Sequence, residues 1–156
     1  MSPENTQAST SSPATVLVVD DNRDMVEILT RLLSRRGLHA LHAYSGQECL
    51  KIVQNHAVDV IVLDVMMPGM NGLEVCEVLK QMAAPPPVIL LTAKDDMATR
   101  AAGMSLGVSE FVVKPVNNRD LLARIQTQLS TRQWEREIDR TSATMDPNIE
   151  ASKAHK

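Results

Sequence analysis

Aromatic residues are nearly absent from this chain. Tyr44, Phe111 and Trp134 are the whole set, 2% of 156 residues. So few rings leave no stacking platform for single-stranded nucleic acid. The core must be aliphatic, and with 44% hydrophobic residues the supply is ample. Cysteine is scarce: Cys49 and Cys76 make neither a disulfide framework nor a zinc cluster, and both fall in helical patterns, where buried reduced thiols fit a reducing cytoplasm. A basic excess is missing too. Nineteen acids against 16 Lys and Arg give a net charge of −3, which is not the footprint of a nucleic-acid binder. No apolar run approaches the roughly 18 residues of a membrane span. The start, MSPENTQASTSSPAT, lacks the basic residues and apolar stretch of a secretory signal.

What is present reads as one domain with tails. Residues 1–14 are rich in Ser, Thr, Pro, Asn and Gln with Glu4 the single charge, and are expected to be a disordered N-terminal tail. The stretch from about residue 141 has the same character, so residues 131–156 read as a helical extension followed by a disordered tail. Between the tails, strand-like runs occur at Val16 to Asp20, Leu38 to Tyr44, Val58 to Asp64, Val88 to Thr92 and Glu110 to Lys114. Three of them contain unbroken apolar stretches (Val16 to Val19, Val60 to Leu63, Val88 to Leu91), the mark of strands covered on both faces. His39 and His42 interrupt the second run, as on an edge strand.

Helical patterns fill the gaps. From Asn22 to Arg36, Met25, Val26, Ile28, Leu29, Leu32 and Leu33 lie mostly on one face, and Gly37 ends the pattern. Ser45 with Glu48 opens a second helix that ends near His56; Asn71 with Glu74 opens a third, to about Met82. Pro85, Pro86 and Pro87 force an extended entry to the fourth strand. Asp95 and Asp96 open a helix ending near Leu106, and Asn117 or Asn118 caps a last one through Leu121, Leu122, Ile125 and Leu129. Strict β-α alternation predicts a three-layer α/β domain on a parallel sheet. In such sheets ligands bind beyond the carboxyl ends of the strands.

Those ends hold Asp20 and Asp21 after the first strand, Asp64 on the third, Thr92 on the fourth, and Lys114-Pro115 on the fifth. One Asp at a strand end usually caps a helix, and one Lys-Pro is usually a turn. Five such groups at one rim call for another account. Carboxylates gathered this closely repel unless a cation lies among them. Oxygen-only ligands suit a hard ion, and a few carboxylates plus waters suit Mg²⁺; the Met66, Met67, Met70 cluster offers only thioethers, which do not ligate it. A lysine and a hydroxyl nearby suit a phosphoryl oxyanion, and Asp is a competent nucleophile for an acyl phosphate. The residues alone describe a Mg²⁺-dependent phosphoryl-transfer site.

With VLVVDDN (16–22), VIVLDVMMPGMNG (60–72), VILLTA (88–93) and FVVKP (111–115), the chain resembles the receiver domain of two-component response regulators across residues 15–130. Within that family it resembles a single-domain, CheY-like regulator. The resemblance implies a (βα)5 flavodoxin-like, doubly wound sheet in strand order 2-1-3-4-5. It implies that Asp64 accepts phosphate from a sensor histidine kinase or histidine phosphotransfer protein. Asp21, Asp64 and the backbone carbonyl of Met66 would hold Mg²⁺, with Asp20 acting mainly through a metal-bound water. Thr92 would hydrogen-bond a phosphoryl oxygen, Lys114 would pair with the phosphoryl group, and Pro115 would follow a cis peptide bond. Phe111 would occupy the aromatic switch position, working by ring burial because it has no hydroxyl.

Nothing after residue 130 reads as an output domain with its own core, so direct DNA binding is not expected. Three functional classes follow: a stand-alone receiver that signals to a downstream protein by contact and catalyses only its own phosphorylation and dephosphorylation, a receiver cut from a longer regulator, or a Mg²⁺ phosphatase with an Asp nucleophile. The phosphatase would typically want a second Asp where Met66 stands. The last helical pattern runs on toward Asp139 with Trp134 and Ile138, which is either a frayed end or a homodimerising or partner-binding extension. Finally, the resemblance implies that Met66 and Lys94 flank the approach of a hydrolytic water; Met66 cannot orient a water and Lys94 would ion-pair with the phosphoryl group and exclude it, so a long-lived phosphoryl group is expected.

Overall fold

The computed structural model describes residues 13–93 and 96–144; Lys94, Asp95 and the expected tails up to residue 12 and from residue 145 lie outside the described residues. Five strands, β1 (Thr15–Val19), β2 (His39–Ala43), β3 (Val60–Asp64), β4 (Val88–Thr92) and β5 (Glu110–Val113), alternate with α1 (Arg23–Arg35), α2 (Gly46–Asn55), α3 (Gly72–Leu79), α4 (Met97–Ser105) and α5 (Asn118–Thr144). All strand pairs are parallel, in the order β2-β1-β3-β4-β5. This is the flavodoxin-like arrangement. β2 is an edge strand, and His39 and His42 are its two exposed residues.

The central strands bury both faces, and the period of two sorts their side chains into two cores. Leu17, Val19, Ile61, Leu63 and Leu90 pack with Cys49 and Val53 of α2 and Val75, Cys76 and Leu79 of α3. Val16, Val18, Val60, Val62, Ile89, Leu91 and Val112 pack with Val26, Leu29 and Leu33 of α1 and Leu121, Leu122, Ile125 and Leu129 of α5. Each fully buried Leu or Ile contributes about 1.5–3 kcal/mol of transfer free energy. Burial also pushes both thiols, Cys49 and Cys76, up to about 12. They are expected to ignore Ellman's reagent at pH 8 until denaturant is added; rapid reaction of the native protein would contradict this packing.

Side-chain caps set the helix starts. Asn22, Ser45, Asn71 and Asp96 each accept a backbone N–H of the first turn, and Asn71 with Glu74 completes a capping box. For α5 the cap is Asn117, which accepts the Asp120 N–H at 3.0 Å. Two helix ends differ from the sequence expectation. α3 stops at Leu79 rather than Met82, because Gln81 and Met82 bond three residues back, to Val78 and Leu79, in a tightened turn ahead of the prolines. α5 runs to Thr144, past Asp139. Its path is fixed by ties to the sheet: Arg124 meets Glu110 at 2.8 Å, Gln128 meets the other oxygen of Glu110 at 2.9 Å, and Arg132 lies 3.6 Å from Asp59 at the start of β3.

Candidate phosphoryl-acceptor site

The site is assembled by register. Val19 of β1 lies level with Leu63 of β3, so Asp20, one residue on, stands beside Asp64. Asp64 lies level with Leu91, and Thr92 with Val113, so Thr92 and Lys114 each stand one step further along the rim. Asp20 (3% exposed) and Asp64 (2%) are buried, whereas Asp21 is exposed. One carboxylate oxygen from each of the three lies within 4.8 Å of the others. Lys114 Nζ forms an ion pair with Asp64 Oδ1 at 2.6 Å, and that oxygen accepts no hydrogen bond among the described residues. The Lys114-Pro115 peptide is cis.

Asp20 Oδ1 accepts the Asn22 N–H at 3.0 Å, while Oδ2 has no hydrogen-bond partner among the described residues. Burial pushes the Asp20 carboxyl up to about 6; the Asp64 charge adds to the rise, and the Asn22 bond and Lys114 oppose it. Thr92 is fully buried, and its hydroxyl also lacks a partner among the described residues. Buried polar atoms normally find partners. Two orphans and a carboxylate cluster at one rim fit a group supplied from outside, and the three carboxylates suit a hard cation. Asp20, Asp21 and Asp64 border an open pocket of about 720 Å³ together with Asn22, Met25, Met66, Lys114, Pro115 and Val116.

The raised Asp20 value has a signed consequence. Its folded-state affinity for a proton exceeds the unfolded one, so the ionised carboxylate costs stability above pH 6, and the cost is relieved as pH falls from 6 toward 4. In chelator-treated protein, Asp20→Asn is expected to raise the melting temperature at pH 7.5, by up to about 3 kcal/mol in stability, and the gain should vanish by pH 4. An equal gain at both pH values would mean that burial of charge is not its cause.

Residues 16–126 match the family model of the response regulator receiver domain. The chain belongs to this family. The receiver, a phosphorylation-activated switch, is 41% identical over 117 residues to the response regulator MprA of Mycobacterium sp. (strain KMS), covering 75% of this chain and 51% of that protein. It is 37% identical over 135 residues to the transcriptional regulatory protein CpxR of Klebsiella pneumoniae, covering 86% and 57%. The receiver thus spans about half the length of the curated relatives it matches. Among solved structures, chemotaxis protein CheY4 of Vibrio cholerae superposes with a TM-score of 0.71 at 30% identity, covering 75% of this chain and 99% of that one.

The receiver brings Asp20, Asp21, Asp64, Met66 and Lys114 to one pocket and places Thr92 at the same rim. Phe111 is elsewhere. Half-buried, it packs on the α2–α3 side, and a Cβ added to Gly103 of α4 would come within 2.8 Å of its ring. Lys94 lies outside the described residues. Reading the sequence missed Arg23, whose guanidinium lies 4.0 Å over the Tyr44 ring. No motif signals that stacking, since it joins the start of α1 to the end of β2 only once both are packed.

Proposed function

We propose that Asp64 is the phosphoacceptor and that the receiver takes its phosphoryl group from a phosphohistidine on a sensor kinase or phosphotransfer protein. The observation that carries this reading is the buried Asp64 carboxylate held 2.6 Å from the Lys114 ammonium at the floor of an open pocket. An Asp64 oxygen attacks phosphorus in line with the departing imidazole nitrogen; the O–P bond forms as the N–P bond breaks. Lys114 steadies the charge of the phosphoryl oxygens, and the Thr92 hydroxyl, without a partner among the described residues, donates to one of them. The carboxylates fit Mg²⁺, which would be held by Asp21, Asp64 and the Met66 carbonyl, with Asp20 acting through water. Bound there, Mg²⁺ offsets the charge of the carboxylates and the incoming phosphate.

Movement of Thr92 and Lys114 toward the new group alters the β4–α4 and β5 surface. In this reading Phe111, whose ring lies against Gly103, passes that shift to α4 by burying its ring further. The output is a change of protein contacts with a downstream partner rather than turnover of a substrate. The described residues make up one five-stranded sheet with its helices, and the chain's net charge is −3, so in this reading the segment itself does not grip DNA; relatives named as transcriptional regulators make a longer regulator the second reading. No described helix is long and apolar enough to cross a membrane, and a cytoplasmic site of action is part of the proposal. Trp134 (65% exposed) and Ile138 (43%), one turn apart on α5, are the proposed homodimer contact. A Trp134 emission shift with concentration would bear this out, and a monomer with and without phosphate would rule it out.

Acetyl phosphate tests the acceptor without the kinase. With Mg²⁺ the protein should gain one phosphoryl group that hydroxylamine removes, and chelator should abolish labelling. Labelling indifferent to chelator would refute the metal assignment. Loss of the label at the turnover rate of an enzyme intermediate would favour the phosphatase.

A further inference from the structure

Two thioethers border the pocket, and they differ in access. Met66 is 70% exposed, Met25 is half-buried against the α1–α5 core, and the adjacent Met67 is buried at 6%. An exposed thioether beside three carboxylates is a group that peroxide can reach, whereas the cysteines are buried away from the pocket. We propose that Met66 is an oxidation site, and that its sulfoxide shortens the life of the phosphoryl group on Asp64, resetting the switch under oxidative conditions. The inference rests on the phosphoacceptor reading of Asp64.

The chemistry balances with a peroxide as oxidant. One peroxide oxygen is transferred to the sulfur as its O–O bond breaks; the sulfur is oxidised by two electrons and water leaves. The effect on hydrolysis follows from polarity. Loss of the phosphoryl group needs a water in line with the Asp64 O–P bond. A thioether is a weak acceptor on a flexible apolar chain and displaces water from the pocket wall. A sulfoxide oxygen is a strong acceptor and holds water there. Met97 and Met104, each 69% exposed on α4, are equally open to solvent but do not border the pocket, which makes them internal standards.

Hydrogen peroxide is the probe, with peptide mass spectrometry to site the oxidation and the decay of acetyl-phosphate label as readout. Met66 should oxidise alongside Met97 and Met104 while Met67 stays reduced. The label on oxidised protein should decay about fivefold or more faster than before treatment. Met66→Leu should abolish this response to peroxide, the Met97→Leu/Met104→Leu double variant should keep it, and methionine sulfoxide reductases should restore the original lifetime. Three results overturn the proposal: Met66 staying reduced while Met97 and Met104 oxidise, an unchanged lifetime once Met66 is oxidised, or an undiminished response in Met66→Leu. Untreated protein that takes no label at all fails the phosphoacceptor reading itself, and is told apart because no peroxide is involved.

Discussion

Asp64→Asn protein is expected to take up at least about a hundredfold less label from acetyl phosphate than the wild type, equivalent to about 3 kcal/mol of barrier. The substitution keeps the shape of the side chain and removes its nucleophilic charge. It also removes both the 2.6 Å ion pair with Lys114 and the repulsion felt by Asp20. These two losses oppose one another, so the fold should persist, with an unchanged circular dichroism spectrum and a melting temperature near or above that of the wild type. The control matters because a misfolded variant would also fail to label. Label retained at the wild-type level would move the acceptor away from Asp64. Asp21→Ala should behave differently: Asp64 is still present, so the defect should appear as a loss of Mg²⁺ dependence and affinity.

Gly72→Ala is the second large expectation, and it acts through the backbone. A Cβ at position 72 would lie 2.6 Å from the carbonyl oxygen of Asp64 and 2.9 Å from Val65 Cα, distances that real Cβ atoms do not tolerate. Neither atom belongs to a flexible side chain, and the Gly72 N–H is committed to the Val65 carbonyl at 3.0 Å. The start of α3 or the end of β3 must therefore shift. We expect a loss of about 1–3 kcal/mol of stability and about a tenfold slower phosphorylation, since small displacements of a reacting group are costly. The separating measurement is the labelling rate at a temperature where the variant is fully folded by near-ultraviolet circular dichroism. A wild-type rate there would show that the close approach serves stability alone. Gly69→Ala makes a useful contrast: its φ of 75° strains an alanine, but nothing lies within 4 Å of the added atom, so its cost should be conformational.

The covered fractions of MprA, CpxR and CheY4 differ in a telling way. This chain matches nearly all of the solved CheY4 chain but about half of the curated regulators. The shared unit is the receiver, and the reading of Asp64 concerns that unit. Whatever the remaining half of such regulators does is not carried by residues 16–126.

The order of elements was legible in the sequence because each signal is local. Unbroken runs such as VLVV and VIVL can be covered only on both faces, the capping residues Ser45 and Asn71 mark helix starts by their own hydrogen bonds, and the Asp, Thr and Lys at the strand ends follow from where those runs stop. Local signals also located Pro85 to Pro87 but not the tightened turn before them. Only the tertiary structure decided the quantities that set the chemistry. The stagger from Asp64 to Thr92 to Lys114 comes from the pairing of strands far apart in sequence, and it alone brings Lys114 onto Asp64. The contrast between buried Asp20 and exposed Asp21, adjacent and identical in type, depends on which carboxylate turns into the sheet rim, and burial is the main cause of the raised proton affinity of Asp20. The packing of Phe111 on Gly103 and the ties of α5 to Glu110 and Asp59 were likewise beyond any pattern in the sequence: burial and charge pairing are sums over neighbours, and the neighbours are chosen by the fold.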